Sequence, residues 1–228
     1  MIRRLVTFLT VASIALAGVL GTGAAGPTAS AAVPHPARHF SVAIEDYTAY
    51  VPQDSCDPRP KRGTTLFGDM LARNYRGIAW STYRPCDGSV SEHHDGRAID
   101  WMVSSRNGAQ HQMGIDFWHW LLATDRYGNQ YAMARRLGVM YIIFNGRMWG
   151  MWDQKWSEYL HCRTTQKGAA YDNLCHRTHM HISLSWNGAR GLTSYWTGRE
   201  YPTDYGPCVP KHHTYAPRWA RRNLTPCG

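Results

Sequence analysis

The apolar positions of this chain predict three helices. An apolar stripe at helical spacing follows Thr64 or Thr65, either of which can serve as the N-cap, and the helix runs to about Tyr75 and is ended by Gly77. Residues 110–124 repeat the same spacing and predict a second helix. A third is expected over 129–137, with Gly138 as its C-cap.

Shorter apolar runs predict strands between and after these helices. We expect strands over 78–83, 98–103, 139–144 and 179–184, and Asn145-Gly146 predicts a hairpin that returns through 147–149. The segment 153–176 shows no regular period and is expected to be irregular and to wall one side of a site. The order of elements predicts one α+β domain, with a small, mainly antiparallel sheet flanked by helices.

The two ends of the chain differ in composition from the segment between them. A basic start, an apolar run and small residues up to Ala32 predict a signal peptide over 1–32. We expect an extended lead-in over 33–62, the domain over 63–190, and a C-terminal tail over 191–228 that packs on it. No later segment is long and apolar enough to cross a membrane, so the mature protein is expected to be secreted.

Composition and charge bear on the size of the domain and on the classes of molecule that the protein binds. Without residues 1–32, about 196 residues remain, enough for one domain with a core of its own. The loss of Arg3 and Arg4 lowers the formal charge from +9 to +7. A basic secreted protein is attracted to anionic polymers such as the cell wall. The charge attracts nucleic acid equally, and it is also consistent with a role in solubility alone. We expect peptidoglycan or another anionic wall polymer, rather than nucleic acid, as the partner, and we expect a monomer.

Six cysteines in an exported chain should form disulfides. Fifteen connectivities are possible, and we favour pairs of neighbours, Cys56–Cys86, Cys162–Cys175 and Cys208–Cys227. The last pair would tie down the tail. No Cys-x-x-Cys spacing supports the alternative, a zinc knuckle formed by His161-Cys162 and Cys175-His176.

The candidate metal-ligating and catalytic residues lie in two separate segments. Residues 91–100 read Ser-Glu-His-His-Asp-Gly-Arg-Ala-Ile-Asp, and His179-Met180-His181 follows much later. Side chains two apart on a strand share a face, so His179 and His181 can point into one site. Two histidines and a carboxylate from separated segments make a three-ligand zinc centre with an open fourth position. Gly96 would allow a positive φ beside it.

The pattern Ser-x-His-x-x-Gly-x-Ala-x-Asp from Ser91 to Asp100 resembles the signature of the D-Ala-D-Ala carboxypeptidase and Hedgehog-like zinc peptidases. The later His-x-His resembles the closing motif of the wider lysostaphin-type superfamily. The resemblance implies that fold, zinc as the cofactor, and His93, Asp100 and His181 as its ligands. The whole chain also resembles a family of secreted bacterial domains without an assigned activity.

The same resemblance implies roles for two further residues. His179 would lie beside the reacting group as base or transition-state donor, and Arg84, in the Tyr-Arg element before the first motif, would hold a substrate carboxylate or an oxyanion. Arg84 could equally be a surface salt-bridge residue. His94 is an alternative ligand to His93, although the spacing to Asp100 favours His93. Two neighbouring acids, Glu92 and Asp95, are expected to face solvent or to orient a neighbour.

The closing motif departs from the carboxypeptidase pattern. Those enzymes have Glu-x-x-His, with the glutamate as base, whereas Thr178 lies three residues before His181. Asp153 and Glu158 are the acids that the irregular segment could bring into the site. Superfamily members with His-x-His use histidines instead, which keeps His179 as the candidate.

Three functions are consistent with these motifs. The favoured hypothesis is a secreted zinc-dependent peptidase acting on peptidoglycan peptides. The alternative is a wall-binding module of the same fold, with a vestigial or regulatory metal site and no turnover. A two-histidine phosphoesterase ranks last, because His181-Ile182-Ser183 is one His-x-Ser element and that class needs two.

Overall fold

The computed structural model describes residues 38–76, 78–162, 165 and 167–202. Within these ranges six strands form one sheet: β1 (Trp80–Ser81), β2 (Ala98–Trp101), β3 (Val139–Phe144), β4 (Arg147–Gly150), β5 (Lys155–Glu158) and β6 (Met180–Leu184). Their order is β1-β2-β6-β3-β4-β5, and each neighbouring pair is antiparallel. The prediction of an α+β fold with an antiparallel sheet is confirmed.

The described part of the chain has six helices beside the sheet: α1 (Arg62–Asn74), α2 (Gly108–Leu122), α3 (Ala132–Leu137), α4 (Ala169–Leu174), α5 (Trp186–Arg190) and α6 (Ser194–Thr197). None of the helices within the described ranges combines the length and hydrophobicity that a membrane span requires. The first three match the predicted helices, with shifted ends. Gly138 is confirmed as the C-cap of α3, with a φ of 72°.

The predicted N-cap of α1 was wrong. The helix begins at Arg62 after Lys61, and the Thr64 hydroxyl instead donates to the carbonyl oxygen of Gly96 over 2.9 Å. Thr64 is buried, so its hydroxyl is satisfied by the motif loop rather than by its own helix. The hydrogen bond fixes α1 against the loop that carries His93.

The segment 153–176 contains β5 and α4, and the prediction that it is irregular was wrong. Both elements are short. Trp156 of β5 pairs with Trp149 of β4, so tertiary pairing rather than local period defines the strand. Likewise, α5 directly follows β6, where Ser185 caps it by accepting from the Gly188 backbone N–H over 3.1 Å.

The two faces of the sheet are different. Helices α1, α2 and α3 cover the face that we call the helix face, which carries the main core, including Phe67, Ile99, Trp101, Phe117, Ile142, Trp149, Met180 and Ile182. Because side chains alternate along a strand, the residues between them point to the opposite face, here called the site face. It carries a smaller cluster around Val51, Tyr141 and Ile143, together with the polar residues of β2 and β6.

Two of the three favoured disulfides are confirmed, Cys56–Cys86 and Cys162–Cys175. The pair Cys208–Cys227 lies outside the described residues, as do the proposed signal peptide and most of the tail. The first disulfide joins the lead-in to the segment just before the motif loop. The lead-in is therefore attached to the site rather than peripheral to it.

Candidate metal centre

The motif loop, residues 91–97, is a tight turn held by its own backbone. The amides of His94, Gly96 and Arg97 donate to the carbonyl oxygens of Ser91, His93 and Glu92 over 2.8–3.2 Å. Gly96 has a φ of 73°, and a Cβ there would lie 2.1 Å from the carbonyl oxygen of Arg59. The predicted need for glycine is confirmed, and it has two causes, backbone conformation and close approach.

A buried ion pair anchors the loop to the rest of the domain. Arg97 and Asp95 are both 0% exposed and pair at 2.9 Å. The Arg97 guanidinium also donates to the carbonyl oxygens of Leu184, Val51 and Pro52. Of the two roles expected for Asp95, facing solvent or orienting a neighbour, the second is the one that the structure shows, because Asp95 orients Arg97. This leaves β2 fixed beside the end of β6.

Three side chains converge where β2 meets β6. Asp100 pairs with His181 in the sheet register, and His93 comes from the motif loop. His93 Nε2 lies 3.0 Å from Asp100 Oδ1 and 3.2 Å from His181 Nδ1, and His181 Nδ1 lies 3.1 Å from Asp100 Oδ1. Ligands about 2.0–2.1 Å from a tetrahedral ion lie roughly 3.3 Å apart, so this triangle has the size of one face of such a site.

The hydrogen bonds of His93 leave a lone pair facing the triangle. Its Nδ1 lies 2.8 Å from the carbonyl oxygen of Thr82, which can only accept, so Nδ1 carries the hydrogen. In the neutral ring Nε2 is then unprotonated and faces an Asp100 oxygen that also carries lone pairs. A cation would satisfy both atoms. The group His93, Asp100 and His181, all buried, could therefore hold a metal ion.

The charges of the ligands fit the same role. Burial raises the pKa of Asp100, but the neighbouring rings of His181 and His93 outweigh burial, and the pKa of Asp100 lies well below the usual range. Arg84 Nη2 donates to Asp100 Oδ2 over 3.0 Å, which leaves Oδ1 as the oxygen facing the histidines. Burial lowers the pKa of His181, so its ring is neutral near pH 7. Neutral imidazole and carboxylate are the forms that bind metals.

His179 lies beside the triangle rather than in it. Its Nε2 is 3.5 Å from Asp100 Oδ1, is buried and has no hydrogen-bond partner among the described residues. Its Nδ1 contacts the Thr178 hydroxyl at 2.9 Å. Burial lowers the pKa of His179, which leaves it neutral near pH 7. A neutral ring with an unpartnered nitrogen next to the ligands can accept or donate a proton.

Sequence reasoning missed His176. Its ring lies 4.8 Å from that of His179 and 5.5 Å from that of His181, measured between centroids, and edge-on to Tyr159 at 5.0 Å. Burial, then the neighbouring histidines, lower its pKa to about 2. The only sequence signal is its place directly after Cys175, where the loop closed by the disulfide to Cys162 ends. His176 forms a wall of the site, as expected for this segment.

The alternative ligand and the alternative acids lie away from the triangle of candidate ligands. His94 is fully buried, but its Nδ1 contacts Gln53 and the carbonyl oxygen of Ser89, away from the triangle. Asp153 accepts the backbone N–H of Lys155, and Glu158 is exposed on β5 opposite Arg147. Neither acid hydrogen-bonds to a described histidine.

Glu92 is also buried, at 2% exposure, so of the two roles expected for it, facing solvent or orienting a neighbour, only the second agrees with the structure. Its Oε2 accepts from the hydroxyls of Tyr141 and, over 3.2 Å, Ser183. The Ser183 oxygen lies 2.8 Å from His181 Nε2. Glu92 thus lies behind His181, on the far side from the triangle.

The fold and the site define an α+β protein with a buried centre of two histidines and one carboxylate that could hold a metal. The chain belongs to the family described as VldE, C-terminal domain, which matches residues 56–173, more than half of the 228 residues. The matched region contains His93 and Asp100 and ends before His179 and His181. No curated protein and no solved structure gave a match to the chain.

Proposed function

We propose that the protein is a secreted, zinc-dependent hydrolase that cleaves amide bonds in the peptides of peptidoglycan, with the fold of the D-Ala-D-Ala carboxypeptidase and Hedgehog-like group. The observation that carries the proposal is the convergence of His93 Nε2, His181 Nδ1 and Asp100 Oδ1 within 3.0–3.2 Å of one another. Two histidines and one carboxylate are a ligand set of catalytic zinc sites. When bound, zinc supplies a Lewis acid and a nucleophile at neutral pH.

The chain's own residues supply the remaining chemistry. His179 is neutral, and its Nε2 has no partner among the described residues, so it can take a proton during attack and return it to the leaving amine. The Arg84 side chain is 47% exposed, so while one nitrogen holds Asp100 its other N–H groups can receive a substrate carboxylate. The disulfides and the basic charge fit an exported protein that works on an anionic wall.

One observation favours a second candidate, a wall-binding module of the same fold that binds a metal without turnover. Thr178 lies where the carboxypeptidases have their glutamate base, and neither Asp153 nor Glu158 replaces it. In that case the metal would stabilise the site or regulate binding, and His179 would have no catalytic role.

The first experiment is elemental analysis of the purified, disulfide-intact protein after incubation with zinc. We expect one zinc per chain in the wild type and a loss of that zinc in His93→Ala and His181→Ala. His119→Ala is the matched control, because His119 is exposed on α2, and it should keep the metal. A wild type that takes up no zinc would overturn the metal centre and the hydrolase with it.

The second experiment separates the two candidates. Purified peptidoglycan is digested with the zinc-loaded wild type and with His179→Gln, and released peptides are measured by mass spectrometry. The hydrolase predicts new amine ends with the wild type and a loss of at least a hundredfold in His179→Gln, the low end for removing a general acid–base. Salt-sensitive sedimentation with the wall, without released peptides, would support the binding module.

A further inference from the structure

The helix face contains a cavity that is separate from the candidate metal centre. It measures about 490 Å³ and lies where the C-terminal half of α2 meets β4 and β5. Its aromatic lining consists of Trp118 of α2, Tyr131 before α3, Trp149 of β4 and Trp156 of β5. Small-molecule sites are concave, measure roughly 300–1,000 Å³ and combine aromatic walls with a few polar groups. The cavity has the size and the lining of such a site.

Two of these rings are accessible to a ligand, and the other two support them. Trp156 and Tyr131 are partly buried, whereas Trp118 and Trp149 are buried. The Trp156 ring packs against Trp118 with 4.2 Å between the ring centroids, and Tyr131 packs against Trp149 at 5.3 Å. Side chains that packing already holds in place lose little freedom when a ligand binds, so this aromatic surface is preorganised.

Three polar side chains also line the cavity, Arg147, Gln154 and His119. The Arg147 guanidinium lies 5.3 Å from the centroid of the Trp156 ring and makes neither an ion pair nor a hydrogen bond with the described residues. The Gln154 side-chain nitrogen donates to the carbonyl oxygen of Met151 over 3.0 Å, which fixes the amide. The Gln154 Oε1 atom has no partner in the described part of the chain. The cavity therefore offers a donor and an acceptor that the described fold does not use.

The charges around the cavity favour a neutral ligand. No carboxylate is among its described lining residues, and Arg147 would repel a cation. The C-terminal end of α2, at Leu122 and the capping residue Ala123, forms part of the wall. A helix C-terminus carries a partial negative charge, which disfavours an anion and suits hydroxyl donors. A purely apolar ligand would leave the polar groups without partners, at a cost in desolvation. The lining thus suits a ligand with apolar faces and neutral polar edges.

We propose that this cavity is a binding site for a neutral saccharide, which packs on Trp156 and Tyr131 and hydrogen-bonds to Arg147 and Gln154. A sugar ring has C–H groups on its faces and hydroxyl groups at its edges. The faces of aromatic rings are electronegative and attract the C–H groups, while the polar side chains pair with the hydroxyls. The saccharide site stands on the cavity alone. Only its use, to hold the protein on the glycan strands of the wall, rests on the function proposed above.

The probe is chitotetraose, a neutral β-1,4-linked tetramer of N-acetylglucosamine, titrated into the metal-free, disulfide-intact protein. Isothermal titration calorimetry should give saturable binding to the wild type with a Kd below about 1 mM. In ¹H–¹⁵N spectra, the indole N–H signal of Trp156 should shift during the same titration. Tetraalanine with blocked ends is a neutral peptide of matched length, and it should not bind.

Two variants locate the binding site. Trp156→Ala removes the ring on which the sugar packs and should weaken binding at least about tenfold, as expected for a central aromatic contact. Arg147→Ala removes a hydrogen-bond donor and should weaken binding by about 2–10-fold. Circular dichroism and thermal unfolding check that each variant folds. Because Arg147 is exposed, its variant keeps the test decisive if Trp156→Ala does not fold.

Arg190→Ala is the matched control. Arg190 is exposed at the end of α5, and its guanidinium lies 5.1 Å from the centroid of the Trp186 ring, so the variant removes the same kind of contact outside the cavity lining. The Kd for chitotetraose should be unchanged. His93→Ala, which removes a candidate metal ligand on the site face, should also bind the saccharide like the wild type.

The outcomes separate the saccharide site from the metal centre. A folded wild type that does not bind chitotetraose, or that binds the peptide instead, would overturn the saccharide site. So would a Kd that is the same in the wild type and in folded Trp156→Ala and Arg147→Ala. If the saccharide binds, both variants weaken it and the wild type takes up no zinc, the saccharide site holds and the metal centre fails.

Discussion

The helix face and the site face of the sheet are built from the same strands with opposite chemistry. On β2, Ile99 and Trp101 are fully buried in the core while Asp100 between them faces the histidines. On β6, Met180 and Ile182 face the core and His181 faces the site. Both faces are buried, so the difference is not exposure. The period of two along a strand lets one segment stabilise the fold and hold the candidate ligands.

The buried polar residues of the site face are also unlike those of the loop beside it. Burial raises the pKa of Asp95, although its partner Arg97 opposes that shift, and the pair connects structural elements. Asp100 faces histidines, and its pKa is lowered. The two carboxylates lie five positions apart in one motif, so their surroundings, rather than their residue type, decide which one can be a ligand. Three changes test the contrast between the faces.

The largest effect on the free energy of unfolding is expected from a cavity in the core of the helix face. Phe117 of α2 is fully buried and contacts Trp101, Tyr75 and Phe67 through its ring. Phe117→Ala should lower the free energy of unfolding by about 3–5 kcal/mol, since it removes buried area and leaves a cavity. Urea unfolding of the metal-free, disulfide-intact protein measures it.

The control for that variant lies on the same helix. Gln112 is exposed on α2, and Gln112→Ala should change the free energy of unfolding by less than about 0.5 kcal/mol. Zinc binding by folded Phe117→Ala should be retained, because the helix face does not touch the ligands. A loss of stability below about 1 kcal/mol would contradict the assignment of Phe117 to the main core.

A smaller effect on the free energy of unfolding is expected from protonation of a histidine on the site face. The pKa of His176 falls from 6.5 to about 2 on folding, through burial and then through His181 and His179, with Asp100 opposing. The unfolded chain therefore binds a proton that the folded chain does not, so the stability from neutral His176 is present above pH 6.5 and is lost as the pH falls. Between pH 7 and pH 5 the loss is about 2 kcal/mol.

The measurement compares how the free energy of unfolding depends on pH in two proteins, because groups other than His176 titrate as well. Urea unfolding of the metal-free wild type and of His176→Gln is followed at both pH values, and the difference between their slopes isolates His176. His119→Gln, at an exposed position, should reproduce the wild type. Equal slopes for the wild type and His176→Gln would show that folding does not hold the His176 ring neutral.

The sequence predicted the elements whose signals are local. Helices α1, α2 and α3 have apolar stripes, and Asn145-Gly146 marks its hairpin, whereas β5 has one tryptophan in four residues and depends on pairing with β4. His93 and Asp100 share one motif, and His181 has its own. The link from Glu92 to His181 needs the order β2-β6-β3, which brings Tyr141 next to Ser183, and no local pattern gives that order.

The smallest effect on stability is expected at the rim of the site face. Arg84 pairs with Asp100 at 3.0 Å, but its side chain is 47% exposed, so solvent screens the pair. Arg84→Gln should lower the free energy of unfolding of the metal-free protein by less than about 1 kcal/mol. Zinc affinity should fall by about tenfold, because Asp100 Oδ2 loses the donor that orients the carboxylate.

The exposed pair between Arg59 and Asp57 provides the matched control for Arg84. The Arg59 side chain is 84% exposed and lies 2.7 Å from its partner, so Arg59→Gln removes a similar ion pair without touching Asp100. It should change neither stability nor zinc Kd, whereas Arg84→Gln should change the zinc Kd alone. If Arg84→Gln instead destabilises the metal-free protein by several kcal/mol and leaves the zinc Kd unchanged, Arg84 has a structural role, and the proposal that it holds a substrate carboxylate is contradicted.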